Sequence, residues 1–144
     1  MRRMHSRENT VSLVYQLRLE RGEDILATLT AFCAEKYIGS AHITAIGAIE
    51  DAVVGAYLLR DKKYINTTYS GIWEVCSFVG NVALVEGEPF IHAHVVISNE
   101  KNATIGGHLF GGTVGVTLEV SIQAHAKPIV RILDESIGLK LLSF

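Results

Sequence analysis

A chain of 144 residues with 49% hydrophobic content is long enough for one domain with a full core and far from the composition of a disordered chain. Thirteen Lys and Arg against fifteen Asp and Glu leave a formal net charge of −2, and the basic residues are scattered, the densest groups being Arg2-Arg3 and Lys62-Lys63. A protein that acts by neutralising phosphates shows a basic excess or stripe, so composition gives nucleic-acid binding no support, and no apolar run reaches the roughly 20 residues of a membrane-spanning helix.

In chain order, residues 1–10 are expected to form a flexible arm, and 11–144 a single domain. The opening MRRMHSREN runs into VSLVYQLRLE, where Arg18 and Glu20 interrupt the apolar pattern. That is not a secretory leader, so the chain is expected in the cytoplasm. Val11 to Leu19 alternates apolar and polar, as a strand does, with Leu13, Tyr15, Leu17 and Leu19 on one face. Glu23-Asp24 then places two acids at a helix start, and Ile25, Leu26, Leu29, Phe32, Cys33 and Tyr37 recur at helical spacing until Gly39. Beyond Ser40, segments near 41–48, 52–60, 63–70, 72–86, 89–98, 103–109, 113–124 and 128–133 are rich in Val, Ile, Thr and Tyr. They are separated by Gly, Asn and Asp punctuation, and the tail LKLLSF is a further short strand. The connections are too short for crossover helices, so the expected fold class is α+β: a compact single domain, mostly antiparallel sheet with one main helix. One helix cannot cover that much sheet, and a second subunit is the natural cover.

Cys33 and Cys76 have no CxxC or Cys-His spacing near them and are expected to be reduced, partly buried thiols. The glycines fit turns and bulges, because neither GxxxxGK[ST] nor a strand-GxGxxG-helix pattern occurs. Trp73 and Tyr69 are assigned to core packing, with a subunit interface as the alternative.

The chemistry concentrates in FIHAHVVISNEKNATIGGHLFGG, residues 90–112. Residues two apart on a strand share a face, with roughly 6–7 Å between their Cα atoms, so His92 and His94 project side by side while Ile91, Val95 and Ile97 face the core. If Ser98 and Thr104 close a five-residue loop, His108 lies directly opposite His94. A four-residue loop would turn His108 to the wrong face unless a bulge at Gly106-Gly107 corrected it. An isolated HxH more often marks two satisfied or exposed histidines than a ligand pair; the third histidine after a hairpin turn is what raises the metal reading. Three neutral imidazoles hold zinc at ~2.0–2.1 Å and leave a fourth position open, as catalytic rather than structural sites do. His5, His42 and His125 stand apart from this cluster.

Together, RLERGEDILATL, ITAIGAIEDAVVGAY, WEVCSFVGNVAL, HAHVVIS and GGHLFGGTVGVTLEV resemble, in this order and from about Val14 to Leu133, the plant and prokaryote conserved (PPC) domain family in its stand-alone prokaryotic form. The resemblance implies a compact unit around antiparallel sheet, a homotrimer, and zinc (Zn2+) held by His92, His94 and His108, the positions matching the HxH and GGH elements. Plant members carry a minor-groove Arg-Gly-Arg-Pro element that this chain lacks. The family is often labelled DNA-binding by that association, and for this chain DNA binding is expected to be weak or absent. The fold also resembles α-acetolactate decarboxylase, a zinc lyase that uses an HxH and a third histidine.

Two function classes follow. The preferred one is a zinc-binding, homotrimeric binding or regulatory module with room for a small molecule or anion at the open zinc position. The alternative is a zinc-dependent lyase acting on a small acid. It would need an acid/base and an anion clamp, for which Glu119, Glu74 and Arg60 are the candidates, each more simply read as a solvated or interface charge.

Overall fold

The alternation of Val11–Glu20 makes β1, which among the described residues pairs with β5 (Thr104–His125) alone, with Leu17 opposite Val120 and Leu19 opposite Leu118. The structure, a computed structural model, describes residues 4–144, so the Arg2-Arg3 pair lies outside the described residues. Ahead of β1, Arg7 Nη1 donates to the Pro128 carbonyl at 3.1 Å and Asn9 Nδ2 to the Lys127 carbonyl at 2.8 Å.

Asp24 starts α1 (Ile25–Glu35) as its N-cap, its carboxylate accepting from the Ala27 N–H at 2.8 Å. Ile25, Leu29 and Cys33, four apart, form its buried stripe, and the helix packs on β4 (Glu88–Ser98) and β5. It ends two residues earlier than the apolar spacing suggests. Tyr37 takes the left-handed turn at φ 54°, while the Ile38 and Tyr37 N–H groups donate back to the Cys33 and Ala34 carbonyls. Tyr37 is therefore exposed rather than part of the helical stripe, and Gly39 lies beyond the turn.

The sheet is mostly antiparallel, as expected, but its strands are longer than the punctuation implies. Segments 41–48 and 52–60 are one strand, β2 (Ser40–Leu58); 63–70 and 72–86 are β3 (Lys63–Val85); 103–109 and 113–124 are β5. Residues that look like strand ends are bends inside strands. Asp51 (φ 53°), Gly71 (φ 80°) and Gly112 (φ 145°) sit where the backbone turns, and the β2–β3 and β2–β5 registers shift around Asp51. β4 pairs with both β3 and β5, so β2, β3, β4 and β5 form a closed ring of pairings. Inside it pack Ile43, Ile49, Phe78, Ile97, Leu118 and Ile122, each nearly inaccessible to solvent. Cys33 is free in this core, where burial pushes its thiol up to about 11, and Cys76 is free and exposed.

The chain ends in a hairpin, β6 (Val130–Asp134) and β7 (Leu139–Ser143), docked beside β3 through one parallel pairing, Leu84 with Val130. No helix among the described residues is long and apolar enough to cross a membrane.

Candidate metal centre

The loop 99–103 decides the site's register. Asn99 Oδ1 accepts from the Lys101 and Ala103 N–H groups at 3.0 Å each, and Asn102 turns the chain at φ 60°. Ser98 then pairs with Thr104 and His94 with His108, in step and without a bulge, so the five-residue loop alone aims His108 at its neighbours. Gly106 and Gly107 serve close approach instead. A Cβ on Gly107 would come within 2.6 Å of the Gly55 carbonyl oxygen on β2, and one on Gly106 within 2.9 Å of the Val95 carbonyl oxygen.

Ile91, Ala93, Val95 and Ile97 of β4 are buried, and His92 and His94 take the opposite face. With His108 they form a triangle of rings whose centroids are 5.0–5.4 Å apart. One nitrogen from each lies within 4.8 Å of the other two. His94 is exposed, while His92 and His108 are half-buried. His108 rests against Tyr64 and Phe110, at 4.9 and 4.6 Å between centroids. Its Nδ1 is buried with no hydrogen-bond partner.

The surroundings of His92 and of His108 disfavour protonation. Burial, then Arg131, His108 and His94, hold the His92 imidazole down at about 4. Burial, His94 and Arg131 also lower His108. Neutral imidazoles with free lone pairs are what a borderline transition metal requires. The orphaned His108 Nδ1 and the all-nitrogen donor set both fit such an ion.

Arg131, which the sequence reading passed over, reaches the cluster from β6. Its Nη2 donates to Asn81 Oδ1 at 2.8 Å and to His92 Nδ1 at 3.2 Å, its Nη1 donates to the Lys140 carbonyl at 3.0 Å, and its buried Nε has no partner. Burial pulls the guanidinium below its ordinary range, with Tyr64 opposing. Its only advance sign is one charge in the apolar run IVRIL. Beside it opens a pocket of about 610 Å³ between the hairpin, β3, β4, β5 and α1, whose ionisable side chains are Tyr64, His92, His108, Arg131 and Lys140.

The other candidates lie elsewhere. Glu119 is exposed on β5, eleven positions beyond His108, between Arg18 of β1 and Ile46 of β2. Glu74 is exposed opposite Ser98, and Arg60 sits in a 3-10 turn paired with Asp61 at 2.9 Å. His125 bonds Ser40 Oγ at 2.9 Å, and neither it nor His42 joins the triangle. Tyr69 and Trp73 pack edge to face at 5.5 Å against the core.

The chain superimposes on a PPC protein of Pyrococcus horikoshii with a TM-score of 0.90 and 33% identity, covering 98% of each chain. A metal-containing protein of Archaeoglobus fulgidus matches with a TM-score of 0.92 and 34% identity over 98% of this chain and 100% of that one. A candidate DNA-binding protein of Ralstonia eutropha matches at 0.83 and 29% identity over 90% of each. No curated protein matches the chain. The family model of the Plants and Prokaryotes Conserved domain matches residues 6–126, which hold the whole histidine triangle, and the chain belongs to that family.

Proposed function

We propose that this protein is a zinc-binding module, assembled as a homotrimer, whose metal keeps one coordination position for a small ligand. The carrying observation is the triangle of His92, His94 and His108, with nitrogens within 4.8 Å of one another beside a pocket of about 610 Å³. Three imidazoles without thiolate or carboxylate suit zinc, which when bound supplies a Lewis acid at an open position. His92, His94 and His108 would hold the ion. The likeness to the metal-containing Archaeoglobus protein supports the reading.

The homotrimer finds support in the outer sheet face. Ile46, Val79 and Val96, at 58%, 48% and 41% exposure, stand on the face away from the core, which a partner subunit would cover. Of the carboxylates considered for proton transfer in a lyase, Glu119 and Glu74 lie outside the pocket, and no carboxylate among the described residues lines it. Zinc titration of chelator-treated protein tests the reading: one ion bound per chain supports it, and no saturable binding removes it.

A further inference from the structure

Arg131 can only donate hydrogen bonds, so His92 Nδ1 accepts from it across the 3.2 Å contact. A neutral imidazole has a single nitrogen lone pair. A metal ion on His92 and the hydrogen bond from Arg131 therefore compete for the same electrons, whichever ring nitrogen the metal takes. Metal loading leaves one Nη2 hydrogen of Arg131 without its acceptor, while Asn81 and the Lys140 carbonyl keep the side chain in place. Its Nε is already unpartnered, and among the described residues it makes no ion pair. A half-buried guanidinium with a released Nη2 donor and no counter-ion, beside a pocket it lines, is a site for an anion.

The pocket says which anion. Leu26, Phe90, Leu109, Phe110, Leu133 and Leu141 give it an apolar wall, no acidic side chain lines it, and its second cation, Lys140, is already paired with Glu86 at 2.8 Å. A phosphate with nothing attached would leave that wall unused and meet only one free guanidinium. We propose that Arg131 is an anion clamp armed by metal loading, and that its ligand is a carboxylic acid with an apolar body. The carboxylate pairs with Arg131 beside the metal, and the hydrocarbon part takes the apolar wall. The inference rests on the metal reading above and adds the ligand's class and the residue that selects it. Because coupling is reciprocal, the acid also tightens metal binding.

Calorimetric titration of the full chain with hexanoate, acetate and inorganic phosphate, metal-free and zinc-loaded, tests this in wild type and Arg131→Gln. Zinc-loaded wild type is expected to bind hexanoate at least ~10-fold more tightly than the metal-free form, a normal size for coupled sites. Acetate should bind up to ~200-fold more weakly, for want of four buried methylenes. Arg131→Gln should cost hexanoate ~10-fold or more yet still bind one zinc per chain, since Arg131 is not a ligand. Equal hexanoate affinity in wild type and variant overturns the clamp, and phosphate binding as tightly as hexanoate overturns the ligand class. If zinc does not bind wild type, the metal reading fails and the arming of Arg131 fails with it; zinc bound normally with equal hexanoate affinity in wild type and Arg131→Gln overturns the clamp alone. Should that variant not fold, Leu133→Asp, at an exposed wall position, sets a like charge in the pocket and must weaken hexanoate similarly; unchanged binding overturns the proposal.

Discussion

At the scale of single residues, the site depends on imidazoles kept neutral. His92 titrates at about 4 in the folded chain against an ordinary ~6.5 when unfolded, so the folded state holds fewer protons between those values. Stability of the metal-free protein is thus unpenalised by His92 above ~6.5, falls as pH drops towards 4, and from this group falls no further below that. Urea midpoints from pH 7.5 to 4 should decline for wild type and more gently for His92→Gln; identical slopes would contradict the assignment. His94 is exposed, so His94→Ala removes a proposed ligand without opening the core. It should weaken zinc by ~100-fold or more while leaving the thermal midpoint of the metal-free protein nearly unchanged. The HxH parity was legible in the sequence because strand geometry repeats every two residues. Arg131 was not legible, because it lies 39 positions from His92 and reaches it through a hairpin docked by one parallel pairing.

Among the elements, the 99–103 loop carries the most information per residue. Loop length converts directly into register, which is why the pairing of His94 with His108 could be read from Ser98 and Thr104 alone. One glycine inserted between Glu100 and Lys101 should slip β5 by a residue, turn His108 away, and abolish zinc binding; unimpaired zinc affinity would mean that the loop does not set the site. Strand lengths were less legible. Gly112 and Asp51 have the backbone of a turn, and only the ring of pairings shows that such residues bend a strand instead of ending it. α1 was legible at its start, where Asp24 caps it, and not at its end, where a tyrosine takes the turn expected of a glycine. Asp24→Ala should cost ~1 kcal/mol in chemical denaturation, the usual worth of an N-cap. No residue of β6 or β7 belongs to the buried core, so a chain ending at Ile129 should fold cooperatively and bind zinc but lose its hexanoate affinity.

Across the whole molecule, the closed ring of β2 to β5 gives one wall on which all three imidazoles stand, so the proposed metal ligands all come from strands and none from a loop. The apolar outer face predicts association: light scattering at micromolar concentration should give three times the chain mass, and a monomer mass would remove the trimer from the account. A trimer would carry −6, three times the −2 of one chain, and should bind duplex DNA only weakly. Submicromolar, sequence-preferring binding that survives ~200 mM salt would restore nucleic acid as the partner. The central claim is the metal centre itself. Its most direct test is elemental analysis of protein purified without chelator, paired with zinc titration, for wild type and for the variant with His92, His94 and His108 all replaced by alanine. The account predicts one transition-metal ion per wild-type chain and none in the folded variant; equal metal in both, or none in wild type even after zinc is supplied, would contradict it.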